Sequence, residues 1–242
     1  MMKVSCADIM SAMKRYMPKD NRKKVAIIDY DAGNMFSVHH ACKFVGLDPV
    51  ITADAHEIMN SAAAILPGVG AFGDAMNGLK RLDLVMPIKE FVQSGKPFMG
   101  ICLGMQLLFS ESEEFGCHKG LNLIEGNVVK FPSENTNGLS YRVPQMGWNQ
   151  IFRNGEYQID WACTPLKDIN EGEFMYFVHS YYVVPYNNNL VLSISRYNNI
   201  SYCSSVGYRN VFATQFHPEK SAGKGLRIYK NWASTLRQSR ES

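Results

Sequence analysis

No apolar run in this chain approaches the ~18 residues needed to cross a bilayer, so no membrane span is expected. The first residues lack the long apolar core of a secretory signal, which points to the cytoplasm. Charge of one sign is also scarce. The net charge of +3 is too small to suggest nucleic acid as a partner. The six cysteines (Cys6, Cys42, Cys102, Cys117, Cys163 and Cys203) include no C-x-x-C pair and no metal-ligand spacing. Neither a zinc site nor a disulfide framework is suggested, and no metal or other cofactor is expected. A reducing cytoplasm suits a free, reactive thiol. Internal repeats and linker-like stretches are likewise missing.

What is present fits one α/β domain: 242 residues, 46% of them hydrophobic, can bury a large core. Residues 25–28, 49–52 and 63–66 read as buried strands, and 35–45 and 55–61 as helices. Residues 79–94 read as helical, with Pro87 as the break between two pieces. This alternation predicts a mostly parallel, twisted central sheet flanked by helices on both faces. The later part is richer in aromatics and turn residues, such as Tyr186-Asn187-Asn188-Asn189, and predicts an added antiparallel section. Residues 1–23 are basic in places and precede the first strand. They read as an N-terminal extension, a frayed arm or short surface helix, with the domain proper at 24–242.

The most informative stretch is Gly100-Ile101-Cys102-Leu103-Gly104-Met105-Gln106. It sets one cysteine between two glycines, after an apolar strand-like run and before a helix-forming run. That is the nucleophile elbow, G-x-nucleophile-x-G, written with cysteine. The flanking glycines leave room for a strained turn, and a helix N-terminus favours the reactive thiolate. The candidate base is His217, in Thr214-Gln215-Phe216-His217-Pro218-Glu219-Lys220. Glu219 lies two residues on, so in an extended segment both side chains point the same way. A carboxylate beside an imidazole fixes its tautomer, and Cys, His and an acidic orienter make a nucleophilic triad. Taken alone, a free cysteine is more often a small buried hydrophobe, and a lone histidine is more often structural.

Six ordered segments carry a resemblance. They are residues 28–34 (IDYDAGN, with Ser37-Val38), 66–70 (LPGVG), the elbow, 143–149 (VPQMGWN), 176–181 (YFVHSY) and 215–221 (QFHPEKS). Together they resemble the class I, triad-type glutamine amidotransferases. Within that family they resemble the glutaminase subunits of imidazole glycerol phosphate synthase. The likeness runs from about Lys24 to about Leu236, and it implies the family's α/β fold.

The resemblance implies the following roles. Cys102, His217 and Glu219 form the triad that hydrolyses L-glutamine. Leu103 N–H and Val69 N–H, with Gly68 in the same loop, form the oxyanion hole. Gln106, one helical turn after the nucleophile, contacts the bound glutamine. Ser180 and Tyr181 contact its α-amino and carboxylate end, while His179 is read as structural. Ammonia loses its nucleophilicity when it protonates in water, so it must pass directly to an acceptor. The resemblance makes that acceptor a (β/α)8-barrel cyclase subunit in a heterodimer, serving histidine synthesis, and places Trp148, Asn149, Tyr176 and Lys220 at or near the interface. Trp148 reads equally as plain core.

One position departs from the family pattern. Many relatives carry His where this chain has Gln145, a position expected near the partner-facing side. A second reading keeps the chemistry but sends the ammonia to amidino-sugar synthesis for bacterial surface polysaccharide. A third is a non-catalytic relative, against which the intact Cys102, His217 and Glu219 argue. A cysteine peptidase is a weaker rival, since the glutamine-contacting pattern gives no reason for an extended groove.

Overall fold

The computed structural model describes residues 23–31, 33–132, 142–155 and 159–236. The proposed extension, up to residue 22, lies outside the described residues. Among those residues the parallel half comes first. It runs β1 (Lys24–Ile28), α1 (Met35–Phe44), β2 (Asp48–Thr52), α2 (Ala55–Asn60), β3 (Ala63–Leu66), α3 (Phe72–Arg81), α4 (Val85–Gln93), β4 (Phe98–Ile101) and α5 (Leu103–Leu107). The rest is largely strand: β5 (Glu111–Ser112), β6 (His118–Lys119), β7 (Gly126–Lys130), β8 (Gln145–Arg153), β9 (Glu173–His179), β10 (Tyr181–Pro185), β11 (Val191–Tyr197), β12 (Ile200–Tyr208) and β13 (Val211–Thr214), then α6 (Ala222–Thr235).

A nine-stranded sheet has the order β2-β1-β3-β4-β13-β12-β11-β8-β9. Its first five strands are parallel and the pairings from β13 onward are antiparallel. A second sheet has the order β10-β7-β5-β6. Strands β1, β3, β4 and β13 are buried on both faces, as their near-continuous apolar runs require, while the edge strand β2 is partly exposed. Within β1, Ala26 and Ile28 enter one apolar layer and Val25 and Ile27 the other.

The strand and helix readings at 25–66 hold to within a residue or two. Pro87 does not break the helical stretch. The break falls at Leu82–Leu84, where Asp83 adopts φ 52 and Leu84 N–H returns to the Leu79 carbonyl. Pro87 sits in the first turn of α4, where its missing N–H has no helical partner to lose. The helix α3 also starts well before residue 79. Its buried stripe is Phe72, Ala75, Met76 and Leu79.

Register assembles the site. Leu66 pairs with Gly100, and Ile101 pairs with Thr214. The carboxyl ends of β3, β4 and β13 therefore lie side by side, and the segments that follow them meet above the sheet edge.

Candidate active site

The strand β4 is buried throughout, and the chain turns at Cys102 with φ 54 and ψ −111. A non-glycine residue there is strained by roughly 1–3 kcal/mol. Cys102 carries this strain itself, and Gly104 supplies the space. A Cβ on Gly104 would stand 1.8 Å from the Leu66 carbonyl oxygen. Cys102 N–H donates to the Thr214 carbonyl at 2.7 Å, tying the elbow to β13. The thiol is 5% exposed.

His217 follows β13, with its N–H donating to the Tyr176 carbonyl at 2.9 Å. Its Nδ1 contacts Glu219 Oε1 at 2.7 Å, and both side chains are buried. The contact is not made by strand alternation, as the sequence suggests. Residues Pro218–Lys220 form a 3-10 turn that folds Glu219 back under the ring. A carboxylate can only accept, so it fixes the proton on Nδ1 and leaves Nε2 available. Nε2 has no partner at ordinary hydrogen-bond distance, while the Cys102 sulfur is close enough for its negative charge to act on the ring. Burial lowers the His217 pKa, but interaction with Cys102 and then with Glu219 outweighs it and carries the pKa to about 10. The ring therefore holds its proton strongly, as an imidazolium facing the sulfur.

The Pro67–Gly70 loop presses on the elbow. Tyr30 OH donates to the Pro67 carbonyl at 2.7 Å. A Cβ on Gly68 would stand 2.1 Å from that hydroxyl and 3.0 Å from the Leu103 Cβ. Val69 is 40% exposed at the loop tip, and Gly70 adopts φ +104. The structure thus sets Gly68 against Leu103, the residue after the nucleophile, with exposed Val69 next in the same loop.

Gln106 is buried, and its amide Nε2 donates to the Tyr181 carbonyl at 2.9 Å and to Gln215 Oε1 at 3.1 Å. Gln215 Nε2 donates to Cys102 Sγ at 3.7 Å. Gln215 escapes the sequence reading, although it stands two residues before His217 in the same segment. Tyr181 is buried and Ser180 half-buried, at the junction of β9 and β10. His179 is buried beside the rings of Phe131, Phe177 and Tyr202, with Nδ1 on the Tyr181 carbonyl at 2.8 Å. Burial lowers its pKa to about 4, so it stays neutral.

The proposed interface residues separate. Trp148 pairs with Tyr176 across β8 and β9, with ring centroids 6.1 Å apart. Lys220 Nζ lies 5.8 Å from the Tyr176 ring centroid, and Tyr176 lies 6.5 Å from the His217 ring. Trp148 is 54% exposed and so is not core. Asn149 alternates to the other face of β8, where Nδ2 donates to the Arg196 carbonyl at 2.9 Å. Gln145 also faces inward, buried and paired across the strands with His179. Strand alternation turns it to the face of β8 away from exposed Met146 and Trp148.

Among the described residues no group of three or more His, Cys, Asp or Glu side chains could hold a metal ion. A cavity of about 370 Å³ lies away from Cys102, between β10, β11 and β12, with Tyr182, Pro185, Ile194 and Ser201 on its walls.

Residues 26–234 match the family model described as glutamine amidotransferase class-I. The chain is 47% identical over 209 residues to "Imidazole glycerol phosphate synthase subunit HisH" of Syntrophotalea carbinolica, covering 86% of this chain and 98% of that protein. It is 44% identical over 210 residues to the protein of the same name in Geobacter metallireducens, covering 86% and 97%. Its fold is similar to a crystal structure titled "glutamine amidotransferase", with a TM-score of 0.64 at 17% identity, over 88% of this chain and 98% of that one.

Proposed function

The chain belongs to the class I glutamine amidotransferases, and from that premise we propose that Cys102, His217 and Glu219 hydrolyse glutamine and release ammonia to a cyclase subunit for histidine biosynthesis. The observation that carries the residue roles is the strained elbow at Cys102 facing an imidazole that Glu219 holds at 2.7 Å. The Cys102 thiolate attacks the side-chain carbonyl carbon of glutamine, and a tetrahedral oxyanion forms. Leu103 N–H and Val69 N–H stabilise that oxygen, and losing one such donor costs ~2.7–4 kcal/mol. His217 gives its Nε2 proton to the departing ammonia, leaving a γ-glutamyl thioester. The neutral ring then takes a proton from water, which attacks the thioester and frees glutamate. Glu219 orients the ring and does not carry the proton.

Gln106, Ser180 and Tyr181 are the proposed glutamine contacts. The 2.9 Å bond from the Gln106 amide to the Tyr181 carbonyl ties two of them together, and Ser180 precedes Tyr181 in the chain. Trp148, Tyr176 and Lys220 form the rim we assign to the cyclase. Exposed Met146 and Phe174 extend the same face of β8 and β9. Asn149 is bonded within the sheet and supports that rim from behind. The finer reading, that the cyclase is a (β/α)8 barrel, rests on the sequence resemblance. The surface-sugar reading is not favoured, because the relatives at 44% and 47% identity are named for imidazole glycerol phosphate synthase. No described helix is long and apolar enough to cross a membrane.

The test is glutamate release from glutamine by the purified chain, alone and with the histidine-pathway cyclase and its ribonucleotide substrate. Strong stimulation by that pair is expected. In addition, Cys102→Ala should lose glutamine-dependent synthesis while ammonia-dependent synthesis by the cyclase persists. Loss of both activities overturns the division of labour.

A further inference from the structure

The chain of hydrogen bonds running from the Tyr181 carbonyl through Gln106 and Gln215 to the Cys102 sulfur has only one direction. From it we infer that Gln215 is a further catalytic residue, a donor that holds the nucleophile's sulfur in its thiolate form. The inference rests on Cys102 being the nucleophile, as proposed above.

The direction follows from which atoms can donate. A backbone carbonyl only accepts. The Tyr181 oxygen takes His179 Nδ1–H at 2.8 Å and Gln106 Nε2–H at 2.9 Å, which uses both of its lone pairs. This fixes which end of the Gln106 amide faces Tyr181. The second Gln106 N–H goes to Gln215 Oε1 at 3.1 Å. Reversing the Gln215 amide would set two NH2 groups face to face, so its Nε2 is turned to Cys102 Sγ, at 3.7 Å. The backbone is equally fixed. Gln215 N–H donates to the Ser204 carbonyl at 2.9 Å, and Cys102 N–H to the neighbouring Thr214 carbonyl at 2.7 Å. Gln215 is fully buried, so the amide has no competing water.

The sulfur has a second neighbour with the opposite preference. As a thiol it donates to the Val178 carbonyl at 3.8 Å. That contact becomes repulsive once the sulfur is charged, whereas an N–H donor to an anion strengthens. Val178 therefore favours the thiol, while Gln215 adds a neutral donor to the His217 imidazolium in favouring the thiolate. Gln106, a proposed substrate contact, acts on the sulfur only through Gln215 and is a positioning residue here.

The test follows carboxamidomethylation of Cys102 by iodoacetamide against pH in the full chain, located by peptide mass spectrometry. Exposed Cys117 serves as the internal reference. Gln215→Glu keeps the shape and replaces the donor with a carboxylate, and Gln215→Leu removes both polar atoms. Each is expected to slow Cys102 alkylation at pH 7 on the order of tenfold and to move its midpoint to higher pH, with Cys117 unchanged. Gln106→Leu, one step back, should move the midpoint less. If Gln215→Leu does not fold, Gln215→Met, which has no N–H to donate and adds no charge, decides. Profiles that superimpose on the wild type overturn the inference even when glutaminase turnover falls, since a packing role gives that result. A wild-type Cys102 that follows the same pH profile as Cys117 overturns the nucleophile reading, and this inference with it.

Discussion

Two buried imidazoles stand close enough to feel each other's charge and are held in opposite states. Around His179 lie three aromatic rings and a carbonyl, and burial brings its pKa down to about 4. Around His217 lie a thiol and a carboxylate, and the pKa rises to about 10. Burial pushes both the same way. What differs is negative charge within reach: the Cys102 sulfur first and Glu219 second raise His217, while His179 has only the Tyr181 carbonyl, which cannot carry a full charge. The linear sequence carries the same contrast, since only His217 has a carboxylate two residues away.

The largest effect should come from exchanging which histidine is lost. His217→Ala is expected to lower glutaminase kcat by at least ~10³-fold, whereas His179→Gln should lower it by on the order of tenfold, its main loss being packing. Equal losses in steady-state glutamate release would erase the contrast. Next, Glu219→Gln should convert the surroundings of His217 towards those of His179. Turnover is expected to fall ~10²–10⁴-fold from the wrong tautomer, and the imidazole resonance of His217 should titrate at lower pH by NMR. An unshifted titration would show that Cys102 alone sets the charge.

The smallest effect is in stability against pH, and its sign differs for the two rings. His217 has a folded pKa above its unfolded value near 6.5, so its contribution is complete below pH 6.5 and is lost as pH rises through about 10. His179 has a folded pKa below that value, so its contribution is present above pH 6.5 and is lost as pH falls through about 4. In urea unfolding, the gap between wild type and Glu219→Gln should shrink from pH 6.5 to 10. The slope between pH 4 and 6.5 should flatten in His179→Gln. A gap that stays constant with pH would mean that these groups do not change protonation on folding.

Much of the fold and the site is legible in the sequence, for identifiable reasons. The inner parallel strands announce themselves because burial on both faces demands unbroken runs such as Val25-Ala26-Ile27-Ile28. The elbow is legible because its constraint is local. The start of α3 is not, because Gly73 and Gly78 dilute its pattern. Both glycines are imposed by distant neighbours: a Cβ would meet the His118 ring at 2.8 Å in one case and the Tyr30 carbonyl at 2.7 Å in the other. Gln145 and Asn149 are hidden for a related reason. Which face a residue of β8 presents depends on its register with β9, and motif spacing does not carry that register. Gln215 goes unnoticed because a polar residue between β13 and His217 acquires meaning only once β4 is laid beside it.

The left-handed backbone at Cys102 has an evolutionary corollary. Glycine adopts φ 54 without a Cβ penalty, so replacing the cysteine with glycine would relax roughly 1–3 kcal/mol of backbone strain. That gain is partly offset by the ~0.5–1 kcal/mol of chain entropy that a glycine loses on folding and by the packing of a buried side chain. The fold is thus held away from its own stability optimum by the demand for a thiol at that corner. A lineage released from that demand would drift downhill to glycine, and the first sign of lost activity in a related chain would be a hardier protein.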